Sequence, residues 1–113
     1  MIAHSLPHPF FGPAQNLHGA TYVVDVTFMS DSVDEHNVVI DIGKAHDITG
    51  EVLAPLKYQN LDELEIFKGK LTTTEFVARH IHDEIRNKVK DIFKGRIKVE
   101  LGEMHDAWAG YEG

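Results

Sequence analysis

The chain contains no cysteine. That excludes disulfides and a thiolate nucleophile, and gives no sign of an oxidising compartment. Basic residues are scarce: 11 Lys and Arg stand against 18 Asp and Glu, for a net charge of -7. No basic patch is present to release phosphate counterions, so a nucleic-acid partner is not expected. Long apolar runs are missing as well. None approaches the roughly 20 residues of a membrane span, so no membrane partner is expected. The N-terminus has no charged region leading into an apolar stretch, which argues against a signal peptide and makes a cytoplasmic location the expectation. Repeats, low-complexity tracts and linkers are absent, and residues 1–113 are read as a single domain. The 42% hydrophobic content is enough for a core. A domain of this size gains stability from oligomerisation. Histidine is the residue in excess: there are 8, scattered along the chain.

The apolar spacing predicts alternating strands and helices. Thr21 to Phe28 is rich in β-branched and aromatic residues and reads as a strand, with Tyr22, Val24, Val26 and Phe28 on one face. Turn chemistry follows at Ser30-Asp31-Ser32. Asn37 to Ile42 reads as a second strand, expected to pair with the first as a hairpin. Gly43 to Pro55 has helical spacing, and Tyr58 to Lys70 reads as a loop. From Thr74 to Lys94 the residues Val77, Ile81, Ile85, Val89 and Phe93 recur every fourth position, the stripe of a long amphipathic helix. Gly95 supplies its stop. Arg96 to His105 reads as a strand with Ile97, Val99 and Leu101 inward.

Two stretches carry chemistry. Strict alternation in the last strand puts Glu103 and His105 on the inward face with Leu101. A carboxylate there costs several kcal/mol (order of magnitude) unless paired, so it needs a partner or a site. The competing reading ends the strand near Gly102 and leaves Glu103 solvated. Thr72-x-x-Glu75 has the form of a capping box opening the long helix, with Thr72 bonded to the Glu75 N–H. His80 and His82, two apart on that helix, point to different faces and cannot clamp one metal.

Ala3-His4-Ser5-Leu6, Leu17-His18-Gly19-Ala20, Leu71-Thr72-Thr73-Thr74-Glu75 and Val99-Glu100-Leu101-Gly102-Glu103, followed by Trp108 and Tyr111, stand in an order and spacing that resembles the 6-pyruvoyl tetrahydropterin synthase / 6-carboxytetrahydropterin synthase family. The resemblance covers nearly the whole chain. It implies an α+β tunnelling fold (T-fold), an antiparallel four-stranded sheet with two helices on one face. It also implies a ring-forming homo-oligomer, typically a hexamer, whose pockets draw on more than one subunit. Family members run a longer strand up to the first histidine than the three residues before His4 allow. Trp108 and Tyr111 would pack on a neighbouring subunit or close the pocket.

The site residues implied by the resemblance are these. Glu103 matches the glutamate that holds the amino and ring N–H groups of a small-molecule pterin, where one carboxylate accepts two parallel bonds. Thr73, Thr74 and Glu75 match a Thr-Thr-Glu that also contacts the pterin. His4 and His18 match two of three zinc ligands. Ala20 occupies the third place, so a zinc ion needs a replacement ligand, with His105 the first candidate and His8 a lesser one. Otherwise the site is degenerate and the two histidines are hydrogen-bonded strand residues.

The catalytic positions depart furthest. Ala14 stands where many members have a cysteine. Leu56-Lys57-Tyr58-Gln59-Asn60-Leu61 matches the stretch where they carry an Asp-His pair. The relay of a thiolate base and an oriented histidine acid cannot operate here. His105, or Lys57 with Tyr58, is the candidate acid–base group, although an exposed loop pair is the simpler reading of Lys57 and Tyr58. Three functions follow: a lyase acting on a dihydropterin side chain, an aldolase-like cleavage by Lys57 and Tyr58 similar to that of dihydroneopterin aldolases, or a non-catalytic pterin or purine binder.

Overall fold

A computed structural model describes residues 1–113. The strands are β1 (Ile2–His4), β2 (His18–Ala20), β3 (Val23–Met29), β4 (Arg96–Met104) and β5 (Ala107–Glu112), and the helices are α1 (Ile42–Leu53) and α2 (Thr74–Val89). Short 3-10 turns occupy Pro9–Gln15, Leu61–Glu63 and Glu65–Phe67. β1 pairs antiparallel with β2, and β3, β4 and β5 form an antiparallel sheet in that order. β2 leads into β3 across Thr21 and Tyr22. Four strand positions therefore succeed one another: β1, the broken β2/β3 strand, β4 and β5. This is the expected α+β arrangement of the tunnelling fold.

The core lies where the two apolar periodicities meet. Ile97, Val99 and Leu101 of β4 are fully buried. Val77, Ile81, Ile85 and Val89 of α2 are at most 2% exposed, and α2 lies over β4 and β5. Burying each such side chain contributes roughly 1.5–3 kcal/mol. Ile48 and Val52 place α1 beside α2, and Leu56 and Leu61 close the same cluster from the following loop. Phe28 meets Phe93 edge-on at 5.3 Å, joining β3 to the end of α2.

Four sequence expectations are corrected. The hairpin between Thr21–Phe28 and Asn37–Ile42 does not form. Asp34 accepts the N–H groups of His36 at 2.8 Å and Val38 at 3.3 Å, Asn37 is left-handed (φ 63), and Asp41 caps α1 at once by accepting Lys44 N–H at 2.8 Å. Turn and cap thus use up the segment, and β3 pairs instead with β4. The long helix ends at Val89, with Ile92 and Phe93 N–H groups folding back to the Val89 carbonyl. Gly95 therefore serves close approach, not capping: a Cβ there would lie 2.1 Å from the Met29 carbonyl oxygen.

The capping residue of α2 is Thr73, whose hydroxyl accepts Phe76 N–H at 3.1 Å, so the box does not start at Thr72. Finally, the β4–β5 register shifts between Gly102 and Met104. The bulge breaks the alternation, and Glu103 and His105 are both exposed instead of facing the core with Leu101.

Candidate functional site

Four consecutive residues organise the site. Thr72 backs a histidine pair, Thr73 caps α2, and Thr74 and Glu75 face a tyrosine.

His4 and His18 are direct partners across the β1–β2 ladder, and their rings meet edge-on with centroids 4.5 Å apart. His4 Nδ1 lies 2.8 Å from the Thr72 carbonyl oxygen and 3.2 Å from the Thr72 hydroxyl. A carbonyl oxygen only accepts, so His4 Nδ1 carries the proton and Nε2 carries the lone pair. His18 Nδ1 donates in the same way to the Asn16 carbonyl at 2.8 Å. In its neutral form each imidazole thus carries its lone pair on Nε2, the form in which histidine binds metals. His4 is 2% exposed, and its Nε2 is buried with no partner. A buried polar atom left unpaired costs about 1–3 kcal/mol, and such an atom calls for an explanation. The pair fits part of a zinc site. No three His, Cys, Asp or Glu side chains of the chain come together as a ligand set. His105, in the β4–β5 turn, does not complete the pair within one chain. Nor does His8, whose Nδ1 accepts Phe10 N–H at 3.1 Å as a turn cap.

The second cluster centres on Tyr22, which the motif reading passed over. Its hydroxyl lies 3.5 Å from the Thr74 hydroxyl. Burial, then the charges of Glu103 and Glu75, raise its pKa above the ordinary 10.0, against the lowering effect of the Thr74 bond. The charges of both carboxylates, 28 positions apart in the chain, thus act on one phenol. The bulge in β4 turns Glu103 away from the core and leaves it at this rim. The signal available in the sequence was the position of Tyr22 just beyond Leu17-His18-Gly19-Ala20.

Lys57 and Tyr58 are not brought together at one site. Lys57 shares with Tyr22, Val24 and Leu56 the wall of a largely apolar cavity of about 110 Å³. Tyr58, left-handed at φ 58 and 82% exposed, borders a separate depression with Met1, Ala3 and Asn60. Trp108 lies across Gly102, where a Cβ would come within 2.6 Å of its ring, and its indole N–H donates to the His105 carbonyl at 3.1 Å. Tyr111 stacks edge-on against His82 at 4.7 Å, with the Arg79 guanidinium 5.1 Å from the tyrosine ring centroid.

Comparison with known proteins gives the family and supports the fold. The family described as 6-pyruvoyl tetrahydropterin synthase matches residues 1–113. A curated relative, the 6-carboxy-5,6,7,8-tetrahydropterin synthase of Bacillus subtilis (strain 168), is 27% identical over 85 residues, which are 74% of this chain and 58% of that protein. The match thus spans less than two thirds of the relative's length. The solved structure of Caenorhabditis elegans 6-pyruvoyl tetrahydropterin synthase superposes with a TM-score of 0.84 at 26% identity, over 99% of this chain and 88% of the other. The chain belongs to the 6-pyruvoyl tetrahydropterin synthase family.

Proposed function

We propose that this protein is a lyase that holds a dihydropterin at Glu103 and Glu75 and acts on its side chain next to a zinc ion at His4 and His18. The observation that carries the reading is the Thr72–Glu75 segment, in which Thr72 fixes His4, the Thr74 hydroxyl meets that of Tyr22 at 3.5 Å, and Glu75 adds its charge to that of Glu103 on the same phenol. Each carboxylate can accept two parallel N–H bonds from the amidine-like edge of a pterin ring. Tyr22, kept neutral by burial and by these charges, offers an O–H donor beside them. Thr73 and Thr74 lie at the N-terminus of α2 and add hydroxyls to the same rim.

Two neutral imidazole nitrogens support zinc, and the third donor would have to come from the ligand or another subunit, because Ala20 stands where the family has a histidine. A zinc ion bound there would polarise a side-chain oxygen and acidify the neighbouring C–H. Ala14 cannot act as the base. Lys57 and His105 are the acid–base candidates, Lys57 because it shares a cavity wall with Tyr22. A homo-oligomer, a hexamer by family habit, would complete the pocket.

The test is pterin binding to Glu103→Ala by calorimetry. The expected result is loss of binding with folding intact. Unchanged affinity would sink the anchor assignment.

A second reading, a pterin binder without turnover, is favoured by Ala14 and Ala20 together. It predicts binding of dihydropterins with none consumed. The aldolase-like reading has the position of Lys57 in its favour. Its mark is glycolaldehyde release from dihydroneopterin that survives His4→Ala and is lost in Lys57→Met.

A further inference from the structure

Asp62 bonds two residues that hold His4, Ser5 next to it in the chain and Thr72 against its ring. Its Oδ2 accepts the Ser5 backbone N–H at 2.7 Å and the Ser5 hydroxyl at 2.7 Å. Its Oδ1 accepts the Thr72 hydroxyl at 3.4 Å. Ser5 follows His4 in the chain, so the first contacts hold the backbone that carries the imidazole. Thr72 supplies both oxygens that receive the His4 Nδ1–H. One carboxylate thus grips the strand bearing the ring and the residue that orients the ring. Thr72 is fully buried, and His4 nearly so, which keeps water from substituting for either contact.

The position calls for a carboxylate. Three donors converge on Asp62, and a carboxylate accepts with both oxygens. An amide would accept with one. Its NH2 group would face either the two Ser5 donors or the Thr72 hydroxyl. In the second case the Thr72 hydroxyl must accept from the amide, and its own proton then swings towards His4 Nδ1, where an N–H already stands.

We propose that Asp62 is the positioning residue that, through Thr72 and Ser5, holds His4 with its proton on Nδ1 and its lone pair on Nε2. The purpose of this device rests on the reading of His4 as a zinc ligand, while its geometry does not. Residues that orient a histidine ligand from behind typically account for about 10–100-fold in metal affinity.

The experiment is nitrogen-15 NMR of the histidine rings in metal-free protein, with zinc titration by calorimetry on the same samples. In the native protein, His4 and His18 are both expected as the Nδ1–H tautomer. In Asp62→Asn, His4 is expected to become a tautomer mixture. His18 should be unmoved, because its Nδ1 faces only the Asn16 carbonyl, whereas His4 Nδ1 also faces the Thr72 hydroxyl, whose proton can turn towards it. Zinc affinity should fall by about 10–100-fold. A single Nδ1–H tautomer for His4 in Asp62→Asn, with zinc affinity within about twofold of native, overturns the proposal. If Asp62→Asn does not fold, Asp62→Ala takes its place, which leaves the Thr72 hydroxyl without its acceptor and free to turn its proton towards His4 Nδ1. An unmoved His4 tautomer in that variant likewise overturns the proposal. A native protein with the expected tautomers that binds no zinc defeats the metal reading alone and leaves the Asp62 assignment standing.

Discussion

His4 and His18 face each other in register across the β1–β2 ladder, ring edge to ring face at 4.5 Å, each with its Nδ1 proton bound to a backbone carbonyl. The Nε2 of His4 is buried without a partner, and the next alternate position on β2 after His18 is Ala20, which pairs with Ile2. Ala20→His is predicted to raise zinc affinity by more than about tenfold, since adding a whole ligand outweighs the typical effect of a supporting residue. Zinc titration by calorimetry checks this. No gain would show that position 20 does not border the histidine pair's free face.

Tyr22 reports on the carboxylate pair. Its pKa is raised by burial first and by Glu103 and Glu75 next. Glu103→Gln should therefore bring the Tyr22 pKa down towards the ordinary 10.0, read from absorbance of the phenolate near alkaline pH, with Tyr22→Phe identifying the signal. A titration that does not respond to Glu103→Gln would mean the bulge holds Glu103 away from Tyr22.

His80 links stability to pH. Half-buried against the Phe67 ring, it has its pKa lowered below the ordinary 6.5 by burial, against the raising charges of Glu84 and Asp83. The folded state then binds fewer protons than the unfolded state just below that value, so stability rises with pH through the window. The contribution is complete above 6.5 and is lost as pH falls towards the folded value. Denaturant melts of the native protein and His80→Gln should diverge less at pH 5 than at pH 7. An equal difference at both pH values would contradict the assignment.

Two glycines should respond oppositely to alanine. At Gly95 the added Cβ would meet the Met29 carbonyl oxygen at 2.1 Å and the Phe93 ring at 2.6 Å. Gly95→Ala should cost about 1–3 kcal/mol, as overpacking does. Gly50 lies within α1 with nothing in the way of a Cβ. Gly50→Ala should stabilise by about 0.5–1 kcal/mol through helix propensity. Thermal melts decide both, and a tolerated Gly95→Ala would mean β3 and β4 can part at that end.

Much of the fold was legible because its elements carry strong periodic signals. The four-residue recurrence from Val77 to Val89 and the alternation of Ile97, Val99 and Leu101 each specify one buried face, and those two faces pack together. The segment Asn37–Ile42 misled for a definite reason. Its β-branched residues satisfy the local criterion for a strand, but Asp34 accepts the Val38 N–H at one end and Asp41 opens α1 at the other by accepting the Lys44 N–H. The candidate site was legible in its residue types and obscure in its contacts. The threonine run marked the segment as a candidate, and its three hydroxyls divide among a histidine, a helix end and a tyrosine.

The sequence alone determined the α+β class and the main helix and strand, and it singled out Glu75, Glu103, His4 and His18 as candidates, because periodicity and motif spacing are properties of neighbouring positions. Tertiary structure decided that β3 pairs with β4, that a bulge leaves Glu103 exposed, that the Tyr22 hydroxyl meets Thr74, and that Asp62 bonds Thr72 behind His4. Those outcomes depend on which distant groups satisfy a given donor or acceptor. That partner is chosen only when the chain closes on itself and every buried polar group must find one.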